Sequence, residues 1–226
     1  MLEKFLLYKV TYTLIAFNVV VYLFSVFLSH TIVDIDMQVL VDMGALFGPY
    51  AVLHEQWWRL LSAMFLHGGV THLLMNMVSL YLVGRGVERY FTISSYLLLY
   101  LFSGLLGGMV SLYMHPVSVG VGASGAIFGV FGAMAGFFLA HRHQIQAHTK
   151  AFMKDFAVIL GINLVLGFSI ASIDVSAHVG GLVVGILGGF MVSKSPQLLW
   201  LYSMLMVACL GVFIYILPSS YANIPF

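Results

Sequence analysis

Four side chains far apart in the sequence could together cleave an acyl bond: Ser124, His178, His72 and Asn76. A serine hydroxyl is a weak nucleophile until a base takes its proton, and a neutral imidazole is the usual base near pH 7. The attacked carbonyl develops an oxyanion, which needs donors already aimed at it. The Ser124 backbone N–H at a helix N-terminus would be one donor, favoured by the helix dipole, and the side chains of Asn76 and His72 would be others. An acid to orient the base is missing at the same depth. Asp174, four residues before His178, is the nearest candidate and reads as a charge of an exterior loop.

Taken singly, each group has a blander role. Ser124 could be a small packing residue, His72 and Asn76 an interhelical hydrogen-bonded pair, and His178 a partner for a backbone carbonyl. Their joint placement is what favours chemistry, and placement depends on the elements that carry them. Of 226 residues, 62% are hydrophobic and only 8% charged, against roughly 25% in an ordinary soluble chain. The fold class is therefore an all-α, polytopic membrane helical bundle. A formal charge of +1 excludes a basic nucleic-acid binder, and the apolar composition excludes a soluble enzyme or a disordered tail. The lone Cys209 cannot form an intrachain disulfide.

A span needs about 20 apolar residues. Six uncharged intervals separate the charges, and the third, residues 90 to 141, is long enough for two spans divided near His115-Pro116, Gly120 and Gly122. Seven helices are predicted, near 11–29, 65–84, 94–114, 123–141, 156–172, 177–193 and 198–217. Lys4, Lys9, Arg85, Arg89, Arg142, Lys150, Lys154 and Lys194 share one side if the N-terminus is cytoplasmic, and the C-terminus is then exterior. Residues 11–29 are long for a signal-peptide core and lack a small-x-small site, so the first span is expected to be retained. The longest exterior connection, from His30 to about Met64, carries Trp57-Trp58-Arg59 and suits the headgroup zone, with Arg59 bracing it.

Spans two, four and six run in the same direction, and their polar residues all fall in the exterior half of the bilayer. Intramembrane polar groups are costly and point to function. His72 and Asn76 are four apart, so they share a helix face. Gly125, Gly129, Gly132 and Gly136 form one small-residue stripe, and Gly181, Gly185 and Gly188 another that starts from His178. Close approach of these stripes would bring Ser124 within reach of His178.

At these residues the chain resembles the rhomboid family of intramembrane serine proteases. The matching segments are Trp58-Arg59, His72-Leu-Leu-Met-Asn76, Gly122-Ala-Ser124-Gly125 and Ala177-His178-Val-Gly-Gly181 with Gly185; Glu88 at the cytoplasmic end of the second span also fits. Any one motif is weak, whereas four in order on the right spans are strong. The resemblance implies a dyad of Ser124 and His178, with His72 and Asn76 assisting the oxyanion. It implies a six-span catalytic core over 1–193, with residues 194–226 supplying an appended helix and tail. Substrates would be membrane-anchored proteins cut in or near a transmembrane segment, entering beside the helix at 156–172. Some members carry tyrosine four residues after the nucleophile; here Phe128 stands there, so a hydroxyl is lost while the ring can still pack on His178.

Two other classes stay open. A non-catalytic membrane chaperone or adaptor could recognise transmembrane helices on the same scaffold, although inactive relatives usually lose the serine or the histidine. A haem-binding or channel protein could use His72 and His178 as ligands or pore groups. No cofactor and no metal is expected: His141-Arg142-His143 with His148 and Lys150 lacks the cysteine or paired acids that would complete a site, and reads as a solvated basic loop. No strand is expected, hence no glycine-rich phosphate loop. A bacterial inner membrane is the expected location, because no Arg-rich, Ser-rich transit segment is present.

Overall fold

The computed structural model describes residues 7–143, 158, 161, 174–222 and 224. Its long helices are α1 (Lys9–Ser29), α4 (Val70–Tyr90), α5 (Ile93–Met114), α6 (Ser124–Ala140), α7 (Val175–Lys194) and α8 (Leu199–Tyr221). Between α1 and α4 lie two short helices, α2 (Met37–Asp42) and α3 (Arg59–Ser62). The span predicted over 156–172 lies outside the described residues. Lys9–Ser29, Ile93–Met114, Val175–Lys194 and the stretch Pro196–Tyr221 are each long and apolar enough to cross a membrane.

Helix starts follow local chemistry. Asp36 caps α2 by accepting from the N–H groups of Gln38 and Val39, at 2.8 and 3.3 Å. The Thr92 hydroxyl accepts from Ser95 N at 3.2 Å to open α5. An N-cap oxygen satisfies donors that the first helical turn leaves without partners. At α1 the acceptor comes from elsewhere: the Glu88 carboxylate, on the last turns of α4, accepts from Val10 N at 2.7 Å, Thr11 N at 3.0 Å and the Thr11 hydroxyl at 2.7 Å. One acid thereby ties two helix ends together at the pole rich in basic residues.

That tie explains the main departure from the predicted boundaries. The second long helix was expected over 65–84 and runs from Val70 to Tyr90. Gly68-Gly69 precede it, with Val70 N donating to Val33 O at 3.2 Å, so the chain there belongs to the long connection. At the other end Arg85, Glu88 and Arg89 remain helical because they have partners: the Arg85 guanidinium lies 3.8 Å from the Tyr81 ring centroid, and Arg89 Nε donates to Tyr8 Oη at 2.8 Å. Charges mark where a bilayer stops, not where a helix does. A second departure is a minimal sheet: β1 (Leu46–Phe47) pairs antiparallel with β2 (Val119–Gly120), tying the long connection to the segment before α6.

The main core lies between α4, α5 and α6, where Leu80, Leu99, Tyr100, Ile127, Val130 and Phe131 are buried together. Against it α6 and α7 pack almost backbone to backbone. A Cβ on Gly181 would strike the Gly125 carbonyl, and one on Gly185 would lie 2.6 and 2.7 Å from the Gly129 carbonyl carbon and Cα. Gly189 faces Ala133 in the same way. The α7 row is therefore Gly181, Gly185 and Gly189, spaced by four. Gly188, expected in the stripe, instead meets Leu99 of α5 and Tyr202 of α8. Rows spaced by four form one of the natural ridges of a helix surface, and glycine turns that ridge into a groove.

Candidate active site

The glycine contact ends at the two residues of interest. Ser124 is the first residue of α6, directly before Gly125, and His178 directly follows Ala177 on the first turn of α7. The Ala177 carbonyl oxygen is what a Cβ on Gly125 would meet, at 3.4 Å, and it also blocks a side chain at Gly107 of α5. With these backbones pressed together, His178 Nε2 and Ser124 Oγ lie 2.8 Å apart in a hydrogen bond. His178 is 5% exposed and Ser124 half-buried.

The imidazole is held from one face. The Phe128 ring stacks on it with centroids 4.3 Å apart and planes 13° apart. Among the described residues, the buried His178 Nδ1 has no hydrogen-bond partner. Asp174 does something else: its Oδ1 accepts from Ser176 N at 2.9 Å and Ala177 N at 3.2 Å, which makes it the N-cap of α7 and not the loop charge expected from sequence. Burial by itself would raise its pKa. Hydrogen bonds from Ser111, Ser176 and the Ala177 N–H, together with the nearby His115 ring, outweigh burial and hold the carboxyl below its ordinary range.

His72 and Asn76 stand across from α6 on the first two turns of α4. Asn76 is 5% exposed and its Nδ2 donates to the His72 carbonyl at 3.1 Å, leaving the second amide hydrogen available. Gly122, two residues before Ser124, has φ +123°, a conformation that favours glycine. A Cβ there would lie 2.7 Å from His72 Nε2 and 3.8 Å from Asn76 Nδ2. Gly122 is thus the point where the chain entering α6 passes the His72 ring. Its N–H is anchored to the Ala63 carbonyl at 2.9 Å. The structure brings together Ser124, His178 and Phe128, and it brings His72 and Asn76 against Gly122.

Trp58, Arg59 and Glu88 lie away from this cluster. The Arg59 guanidinium is buried and donates to the carbonyls of Val41 and Ala45 at 2.7 and 3.0 Å, while its Nε donates to Gln56 Oε1 at 2.7 Å. It also lies 4.9 Å from the ring centroids of Tyr50 and Trp58, so one cation gathers the long connection around itself. Sequence reasoning passed over His67. It is fully buried and edge-on to His72, with centroids 5.1 Å apart. The signal was available, because a histidine five residues before His72 was assigned to the same span.

The Rhomboid domain profile matches residues 54–195, a segment holding His72, Asn76, Ser124, Phe128 and His178. The chain belongs to the rhomboid family. Its relatives include RHOMBOID-like protein 2 of Arabidopsis thaliana, 42% identical over 161 residues that cover 71% of this chain and 50% of that one. Rhomboid protease GluP of Bacillus subtilis is 38% identical over 144 residues, covering 64% of this chain and 27% of GluP. The Bacillus subtilis protein YdcA is 33% identical over 191 residues, covering 83% of this chain and 88% of YdcA. The chain therefore spans half or less of the first two and most of the third. Membership and the apolar helices make it an integral membrane protein built as a helical bundle.

Proposed function

We propose that this rhomboid is an intramembrane serine endopeptidase acting on membrane-anchored proteins in or near their transmembrane segments. The observation that carries the reading is the 2.8 Å hydrogen bond from Ser124 Oγ to His178 Nε2, between the first turns of two helices that approach through glycine. Ser124 Oγ attacks the scissile carbonyl carbon while His178 Nε2 takes its proton. The oxyanion is met by the Ser124 N–H at the α6 N-terminus, where no intrahelical acceptor exists, by the free hydrogen of Asn76 Nδ2, and by His72. His178 returns the proton to the departing amine, and a water activated by the same imidazole hydrolyses the acyl-enzyme. Stacking on Phe128 fixes the ring plane throughout, standing in for an orienting acid. Residues 1–193 form the catalytic core in this reading and 194–226 an appended helix. The chain crosses seven times with its N-terminus cytoplasmic, and the site opens toward the exterior leaflet of a bacterial inner membrane.

Fluorophosphonate labelling of the purified protein in detergent tests the nucleophile. Wild type is expected to label and to cleave a transmembrane substrate, with labelling abolished in Ser124→Ala and in His178→Ala. Labelling that persists in Ser124→Ala moves the nucleophile elsewhere. An unlabelled, folded wild type that still binds transmembrane helices returns the chain to the chaperone class.

A further inference from the structure

We propose that Asp174 is a positioning residue for His178: it clamps the first turn of α7 onto the end of α5 and thereby sets the distance between the imidazole and Ser124. The proposal rests on the dyad reading above and extends it to a residue that touches neither reacting atom. Asp174 Oδ1 accepts from the N–H groups of Ser176 and Ala177 and from the Ser176 hydroxyl. From the end of α5 and the residue after it, two further groups come near the same carboxylate. His115 Nε2 lies 3.8 Å from Oδ1, and the nearby Ser111 hydroxyl helps hold the carboxyl below its ordinary range. Among the described residues, the groups facing Asp174 are therefore Ser111 of α5, His115 directly after α5, and Ser176 and the His178 ring from its own helix.

The consequence lies in what Ala177 does. Its N–H is fixed by Asp174, and its carbonyl is wedged between Gly107 of α5 and Gly125 of α6. Ala177 precedes His178 and Gly125 follows Ser124, so the backbone pair that Asp174 locks is adjacent in sequence to both members of the dyad. Loss of the cap would let the first turn of α7 fray, and the frayed turn is the one that carries the base. Among the described residues His178 Nδ1 has no partner, so backbone position, the Phe128 stack and the Ser124 hydrogen bond are what hold the ring. With its carboxyl held below the ordinary range, Asp174 stays ionised above that range.

The test compares Asp174→Ala with Asp174→Asn in the full chain, because asparagine caps a helix as well as aspartate does and alanine does not. Asp174→Ala is expected to lower kcat and the fluorophosphonate labelling rate about tenfold with KM within about twofold, since misplacing a catalytic group costs turnover more than binding. Asp174→Asn is expected to stay within about twofold of wild type in all three. Equal loss in both variants, or wild-type rates in Asp174→Ala, overturns the proposal. If Asp174→Ala does not fold, Ser111→Ala combined with His115→Ala removes the partners at the end of α5, and wild-type kcat and labelling in that double variant count against the proposal equally. A readout free of hydrolysis separates this idea from the protease reading. In a Cys209→Ser background, oxidative cross-linking of the pair Ser124→Cys and His178→Cys should slow when Asp174→Ala is added. Wild-type protein that neither labels nor cleaves removes the protease reading, while the cross-linking rate still decides the clamp.

Discussion

Helix α7 is held on two sides by two kinds of contact. Toward α6 it offers Gly181, Gly185 and Gly189 to backbone atoms of Gly125, Gly129 and Ala133. Toward α8 it offers Gly188 to the Tyr202 ring, a side chain that itself packs edge-on to Phe102 of α5 with centroids 5.8 Å apart. The far end of α8 is fastened by one hydroxyl, with Tyr221 Oη donating to Leu112 O at 2.8 Å and Pro116 O at 3.3 Å. Backbone cannot yield without moving a helix, whereas a ring or a leucine tip can turn. Hence the α6–α7 contact sets a distance to tenths of an ångström, and the α8 contact only sets a neighbourhood. The Ser124–His178 hydrogen bond spans the first kind.

Substitutions on the same helix expose the difference. Gly185→Ala puts a methyl group into the Gly129 carbonyl, and the helices must separate. A loss of at least about 3 kcal/mol is expected, more than alanine's gain of about 1 kcal/mol in helix propensity can offset. Proteolytic activity should fall at least about 100-fold if any folded protein survives. Thermal unfolding in detergent and a cleavage assay measure both.

Gly188→Ala, three residues on, meets only Leu99 Cδ2 and the Tyr202 ring at the closest points. Its cost is expected near 1 kcal/mol, with turnover within about threefold of wild type. If both alanine variants lose activity alike, the distinction between the two faces is wrong. The smallest effect belongs to Tyr221→Phe, which leaves the ring in place and removes one hydroxyl. It should cost about 1 kcal/mol and leave labelling of Ser124 unchanged. A labelling rate that drops would mean that α8 reaches the site after all.

Glu88 and Asp174 show how far residues can be read without coordinates. Both are acids beside a helix end, and both turned out to be caps: Asp174 for its own helix, Glu88 for the start of α1, 77 and 78 residues away in sequence. A local cap has a sequence signature, yet Asp174 was passed over because an acid outside the bilayer is ordinarily solvated. The cap supplied by Glu88 has no local signature at all. The second long helix shows the same limit, since its charged end looked like a membrane boundary until Tyr81 and Tyr8 were found against Arg85 and Arg89.

Composition alone determined a helical membrane protein, because so few charges leave no alternative solvent. Apart from the second helix, the charge intervals gave the ends of the described long helices to within four residues. The motif order gave the rhomboid family, because serine, histidine and asparagine inside apolar spans are too costly to persist without purpose. Only the tertiary structure decided which glycines face which helix, that the Phe128 ring lies flat on His178, and that Asp174 caps the first turn of α7. Those are matters of rotation about a helix axis and of partners distant along the chain. A one-residue change of spacing turns a side chain by about 100°, and a sequence pattern that tolerates such a change cannot fix it.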